Sequence, residues 1–293
     1  MIELRHKAGL LGLSFVTASL LAGHASAQRL FGTANGVDGI FELDPVNGTI
    51  INNLANSPAG SALDGLAFDG TSLWYLGAAP DTLYRLDPTT GDTLDTFALP
   101  SDPDGSGGSE DPDNGDTSIR GALAYLNGMI YITQWDRPVQ DIEVFDPTVG
   151  EVVRTIDFDS VNPGARLFGN SGLAAITGPN QLIVSTALSQ QLYFVNPITG
   201  VIEETLDHNQ FGVLGIAVVG DELYLGSDQL GSIGDGVETV HVYNRDGEQL
   251  RFFNFDNATN IYSLAGDHTA IPEPGSAALL ALGALALTRR RRR

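Results

Sequence analysis

The chain has 293 residues, enough for one large domain or two ordinary ones, and no cysteine, which excludes disulfides and thiolate metal sites. Its formal net charge is −21 and strongly segregated: Gln28 to Ile271 holds 34 Asp and Glu against eight Arg and no Lys. Such a body repels nucleic acid and anionic membrane surfaces; it attracts cations, cationic polymers and basic proteins, or serves solubility alone.

Residues 1–27 read as a secretory signal peptide. Arg5, His6 and Lys7 form a basic start, and Ala8 to Leu21 is an apolar run of 14 residues suited to a short helix. Ala25-Ser26-Ala27 supplies the small-x-small pattern that a signal peptidase cuts, which makes Gln28 the new N-terminus.

Five segments of the body then share one pattern: IFELDPVNG (40–48), LYRLDPTTG (83–91), IEVFDPTVG (142–150), LYFVNPITG (192–200) and VHVYNRDG (240–247). Each is a strand of β-branched and aromatic residues, then Asp or Asn, then a turn closing on glycine. Asp44, Asp87, Asp146, Asn196 and Asn244 can accept hydrogen bonds from the turn backbone. Pro45, Pro88, Pro147 and Pro197 fix φ and end the strand, and the closing glycine can take positive φ. The fifth copy has Arg245 in place of proline and is one residue shorter.

A second pattern precedes four of these: GLAFDGTSLWYLG (65–77), GALAYLNGMIYIT (121–133), GLAAITGPNQLIVST (172–186) and GIAVVGDELYLGS (215–227). Small residues cross a tight turn into an apolar strand. A further strand follows each glycine turn, as in DTLDTFAL (92–99) and EVVRTIDF (151–158). Units of four strands, a to d, emerge, with Asp/Asn positions spaced by 43, 59, 50 and 48 residues. That period predicts propeller blades, with the small residues of strand a innermost.

The ends of the body are complementary. It starts with RLFGTAN, a strand b with no strand a before it, and finishes with NIYSLAGD (260–267), a strand a with nothing after it. Pairing Leu30–Thr33 with Ile261–Ala265 completes one blade from both ends and leaves no unpaired inner edge. The expectation is an all-β, five-bladed propeller over residues 28–270, flanked by an N-terminal signal helix and a C-terminal hydrophobic helix. A two-sheet sandwich would explain neither the period nor the matching ends. The repeats, DPTTG above all, resemble the YVTN, NHL and WD-type propellers. That resemblance implies architecture only, because such propellers include lactonases, lyases and binding scaffolds.

The a–b and c–d turns are short. The long segments, 55–63, 100–118, 134–141, 159–171, 207–213 and 228–239, are all b–c or d–a connections and therefore share one end of the ring, where binding is expected. The richest is SDPDGSGGSEDPDNGD (101–116), in which Asp102, Asp104, Asp111, Asp113 and Asp116 offer carboxylate oxygens to Ca²⁺; the alternative is a solvated acidic loop. Its start follows an EF-type loop, but Asp113 stands where a terminal Glu belongs and no helices flank it. In QWDRPVQD (134–141), Trp135, Asp136 and Arg137 can stack on and hydrogen-bond a sugar or peptide, or else plug the gap between blades. No cofactor is required by any motif. His208, His241 and His268 are the only histidines of the body, and no nucleophile elbow or phosphate loop is present.

The tail reads PEPGSAALLALGALALTRRRRR. Gly275 to Thr288 is uncharged and as a helix reaches about 21 Å, against a hydrocarbon core of about 30 Å. Arg289, Arg290, Arg291, Arg292 and Arg293 would hold the C-terminus on the cytoplasmic side. Pro272-Glu273-Pro274, an apolar stretch and a terminal arginine cluster resemble a PEP-CTERM sorting signal over residues 271–293. The resemblance implies recognition of Pro272, Glu273 and Pro274 by an exosortase-like enzyme. It also implies an inner-membrane-anchored intermediate, then the cell surface or extracellular matrix of a Gram-negative-type bacterium, in company with polysaccharide and biofilm.

Three functions fit this reading. The first is a non-enzymatic propeller that binds extracellular polysaccharide, matrix protein or cations through its long-loop face. The second is a metal-dependent enzyme of the lactonase or lyase kind, using the central channel. The third is a structural subunit of the biofilm matrix.

Overall fold

The repeated turns form as their composition dictates. Asp44, Asp87, Asp146, Asn196 and Asn244 each accept a hydrogen bond from the backbone N–H two residues on, at 2.7–3.1 Å. A computed structural model describes residues 28–34, 37–58, 65–77, 82–100, 120–135, 140–165, 172–185, 189–208, 210, 212–227, 237–256 and 261–268. The signal segment and the hydrophobic tail lie outside the described residues.

The described strands form five four-stranded antiparallel sheets, arranged as the blades of a propeller. The second to fifth blades are each continuous in sequence. Their innermost strands are Gly65–Phe68, Arg120–Leu126, Leu173–Ile176 and Val213–Val219. The first blade takes its strand a from the far end of the chain, Ile261–Gly266, and its strands b, c and d from Leu30–Ala34, Val37–Leu43 and Ile50–Leu54. The register pairs Leu30 with Gly266, Gly32 with Leu264 and Thr33 with Ser263. The ring is thus closed by two chain ends sharing one sheet. A four-residue helix, Phe158–Val161, interrupts the d–a connection of the third blade and has no counterpart in the sequence reading.

Small residues crowd the axis because the inner strands meet there. A Cβ on Gly65 would lie 2.3 Å from the Gly121 carbonyl oxygen, and one on Gly266 would lie 2.3 Å from that of Val218. Ala67, Ala124, Ala174, Ala217 and Ala265, one from each blade, line the axial cavity. Only about 20 Å³ remains there for the centre of a water molecule, room for about one.

Neighbouring blades are joined by two devices. The glycine that closes each repeated turn receives an apolar side chain from strand d of the preceding blade. Gly48 receives Phe253, Gly91 Leu54, Gly150 Phe97, Gly200 Ile156 and Gly247 Leu206. Each donor lies six residues beyond its own repeat glycine, so a single sequence interval builds all five junctions. The junction between the fifth and first blades is of the same kind as the others.

The second device uses arginine. Arg29, Arg154 and Arg251 each donate to the carbonyl of the proline in the next blade's turn, at Pro88, Pro197 and Pro45, over 2.8–2.9 Å. Arg251 also forks onto Glu222 at 2.8 and 2.6 Å and donates to Tyr224 Oη. Hydrogen bonding from Arg251 pulls the Glu222 carboxyl below its usual range, while burial pushes the Tyr224 phenol up. Three of the eight arginines in a very acidic body are thereby spent on joints between blades.

Candidate functional site

On the long-loop end the described geometry is richest at the third blade. Arg120 opens its innermost strand and is buried. Its Nε donates to Glu143 Oε2 at 2.6 Å and its Nη2 to Oε1 at 2.9 Å. The same Nη2 also donates to the Pro100 carbonyl at 2.9 Å. The two side chains are only 4% and 9% exposed. Desolvating such a pair offsets much of its attraction, so the forked contact fixes position more than it adds stability.

What it positions is the acidic loop. Pro100 is the last described residue before residues 101–119, and Arg120 is the first after them. Both ends of that 19-residue excursion are therefore held by one guanidinium. Asp102, Asp104, Asp111, Asp113 and Asp116 fall inside it and lie outside the described residues.

The second predicted feature rises beside the first. Strand b of this blade, Met129–Trp135, pairs Gln134 with Arg120, and strand c, Gln140–Asp146, pairs Gln140 with Trp135. The b–c connection carrying Asp136 and Arg137 thus starts one residue from the partner of Arg120. The backbone of Trp135 ends the strand; its side chain, Asp136 and Arg137 lie outside the described residues. The structure brings the bases of the two sequence-identified loops together at one corner of the ring.

Trp74, the other tryptophan, is core: it is 3% exposed, and its indole N–H donates to Asp69 Oδ2 at 2.9 Å. The Arg120–Glu143 clamp was not read from the sequence. Its signal is Glu143, a lone carboxylate inside the apolar run IEVF, which needs a buried partner.

The three histidines do not converge. His208 and His241 are buried near one another at the junction of the fourth and fifth blades. His208 Nδ1 accepts from the Gln210 backbone N–H at 3.2 Å, which leaves the ring proton on Nε2, where no partner is found among the described residues. Burial, with a smaller contribution from the neighbouring His241, brings the His208 imidazole down to about 4 against the opposing pull of the Gln191 backbone and Asp207. Burial lowers His241 as well.

His268 sits apart from them, at the short-turn mouth of the axis. Its ring lies 6.2 Å from that of Tyr125, and its carbonyl accepts from Thr177 Oγ1 at 3.0 Å. Burial lowers its pKa, opposed by the Gly266 carbonyl and by Asp267 and Asp69. Among the described residues no three His, Asp or Glu side chains gather as a metal would require.

Residues 270–293 match the PEP-CTERM protein-sorting motif. The chain carries a PEP-CTERM tail. It is therefore an exported, surface-sorted protein whose sorting signal is read by exosortase-like enzymes, and its body is a five-bladed propeller. Two solved structures share the fold. One is a protein of unknown function from Bacteroides caccae, with 12% identity, TM-score 0.52, and 82% of this chain covered against 99% of the other. The other comes from a nidogen/laminin complex, with 13% identity, TM-score 0.52, and coverage of 83% and 100%. At such identity the likeness is one of fold alone. Among curated proteins none matches this chain in sequence.

Proposed function

We propose that this PEP-CTERM propeller is a non-enzymatic display protein that binds extracellular matrix polymer, protein or cations through its long-loop face. The working corner is at the third blade. The observation that carries the reading is the buried Arg120–Glu143 clamp, which ties both ends of the acidic loop beside the base of the Trp135–Arg137 loop. Rigid scaffolds bind through such loops, and a clamped base lowers the ordering cost of binding. Ca²⁺ is the simplest ligand for Asp102, Asp104, Asp111, Asp113 and Asp116, alone or bridging to an anionic polysaccharide. Before processing, signal peptidase removes residues 1–27 and the tail holds the protein in the inner membrane.

The axis offers an enzyme little to work with. Its described lining is six alanines, Gly266, apolar neighbours and Tyr125, with His268 at one mouth.

Calorimetry of residues 28–271 with Ca²⁺ tests the cation reading. Heat and a rise in melting temperature are expected, both lost when Asp102, Asp104, Asp111 and Asp113 are replaced together by Asn. No heat and no thermal shift with the unmodified body would remove Ca²⁺ from the account.

A further inference from the structure

Both chain ends leave the ring on one face. The innermost strand of the first blade runs from Ile261, at the long-loop end, to Gly266, at the short-turn end. Beyond it the Asp267 N–H donates to the Arg29 carbonyl at 3.0 Å, and the Asp267 carbonyl accepts from the Gly220 N–H, in the a–b turn of the fifth blade, at 3.2 Å. The His268 carbonyl accepts from Thr177 in the a–b turn of the fourth blade. A Cβ on Gly220 would lie 2.2 Å from the Gln28 amide nitrogen, and Arg29 reaches the c–d turn of the second blade at Pro88. Gln28 and His268 therefore sit among short turns, with His268 at the axis itself.

The sorting tail starts within two residues of that point. Pro272 is four residues past His268, so its Cα lies within about 14 Å of His268, and Gly275, where the apolar stretch begins, lies within about 25 Å. A domain of this size is about 45 Å across. A tether fixed at the centre of one face and shorter than the domain's width cannot bring the opposite face to the bilayer.

We infer that the short-turn face is the membrane-side surface of the anchored protein, with the long-loop face held away from the lipid. The face does not adhere. Asp44, Asp87 and Asp146 stand on its turns, with Asp221 paired to Arg245 at 3.2 Å beside them, and carboxylates repel an anionic leaflet. The orientation comes from the tether. It also means that the enzyme reading Pro272-Glu273-Pro274 works within a few residues of a folded surface. This inference rests on the proposed anchoring by the tail and not on what the long-loop face binds; a propeller with an inert upper face would stand the same way.

The absence of cysteine makes the test direct, since any introduced thiol is unique. Asp221 lies in the a–b turn of the fifth blade with its side chain 93% exposed. Gln190 lies in the b–c connection of the fourth blade, at the opposite end. Asp221→Cys and Gln190→Cys, each in the full chain that remains after signal-peptide removal, Gln28 to Arg293, are labelled with a fluorophore and reconstituted in vesicles of phosphatidylcholine and phosphatidylglycerol. Some of the lipid carries a nitroxide on its headgroup. Quenching at position 221 is expected to exceed that at 190 by at least twofold. Equal quenching, stronger quenching at 190, or failure of the full chain to partition into the vesicles would each overturn the orientation. The Ca²⁺ calorimetry on the body is a separate measurement, so either reading can fail alone.

Discussion

Replacing Gly48 by alanine probes the junction between the fifth and first blades. Gly48 has φ +74°, where an L-residue costs about 1–2 kcal/mol. The new Cβ would lie 2.0 Å from Phe253 Cδ2, so the buried ring must retreat by about 1.4 Å to reach ordinary contact at 3.4 Å. Overpacking of this kind costs about 1–3 kcal/mol more, for a total of about 2–5 kcal/mol. Phe253→Ala alone costs about 3–5 kcal/mol. In the double variant the ring is gone and only the backbone cost of alanine at position 48 remains, so the sum of the singles overstates the loss by about 1–3 kcal/mol. Gly128→Ala is the control: its φ is +86°, and nothing lies within 4 Å of its Cβ, so only the backbone cost of about 1–2 kcal/mol applies. Urea unfolding of the four variants measures all these quantities. If Gly48→Ala costs no more than Gly128→Ala and adds to Phe253→Ala within about 0.5 kcal/mol, Phe253 does not sit on Gly48 and the reasoning fails.

Other outcomes follow from the same contacts. Arg120→Met leaves Glu143 buried without its partner and should cost about 3–5 kcal/mol; Arg120→Met with Glu143→Leu should recover most of it, as thermal unfolding would show. His208 has a folded pKa near 4 against 6.5 unfolded, so the unfolded chain binds the proton first as pH falls, and stability should drop by up to about 3 kcal/mol between pH 6.5 and 4. His208→Gln should shrink that acid limb, with His241 and His268 supplying the remainder, and an unchanged pH profile of unfolding would contradict the burial argument. A chain ending at Asn260 loses buried Ile261, Leu264 and Ala265 from the innermost strand, roughly 5 kcal/mol of apolar burial, and is expected to aggregate on purification; a monomer with unchanged melting temperature would contradict it.

Much of the architecture was legible because it is written in local chemistry. The Asp/Asn–Pro–Gly turns are set by side-chain acceptors two residues away, and the small residues of strand a report a crowded axis directly. Closure was legible from two orphan strands, RLFGTAN and NIYSLAGD, each lacking what the other supplies. The joints between blades were not. Phe253 meets Gly48 only because the ring brings them together, and the interval of six residues gains meaning once blades stand side by side. Arg120 and Glu143, 23 residues apart in sequence, pair through a strand order that spacing alone does not fix. The residues proposed to bind ligand, in the acidic and Trp135–Arg137 loops, stand out by composition alone; what the fold adds is that both loops spring from one corner.

Amide hydrogen exchange on the full chain tests the two-ended closure most directly. Leu30–Ala34 and Ile261–Gly266 are predicted to exchange together, as slowly as the innermost strand Val213–Val219 beside them. Exchange of Ile261–Gly266 at the rate of an open segment, while Val213–Val219 stays protected, would mean an unsealed ring with no fixed working face.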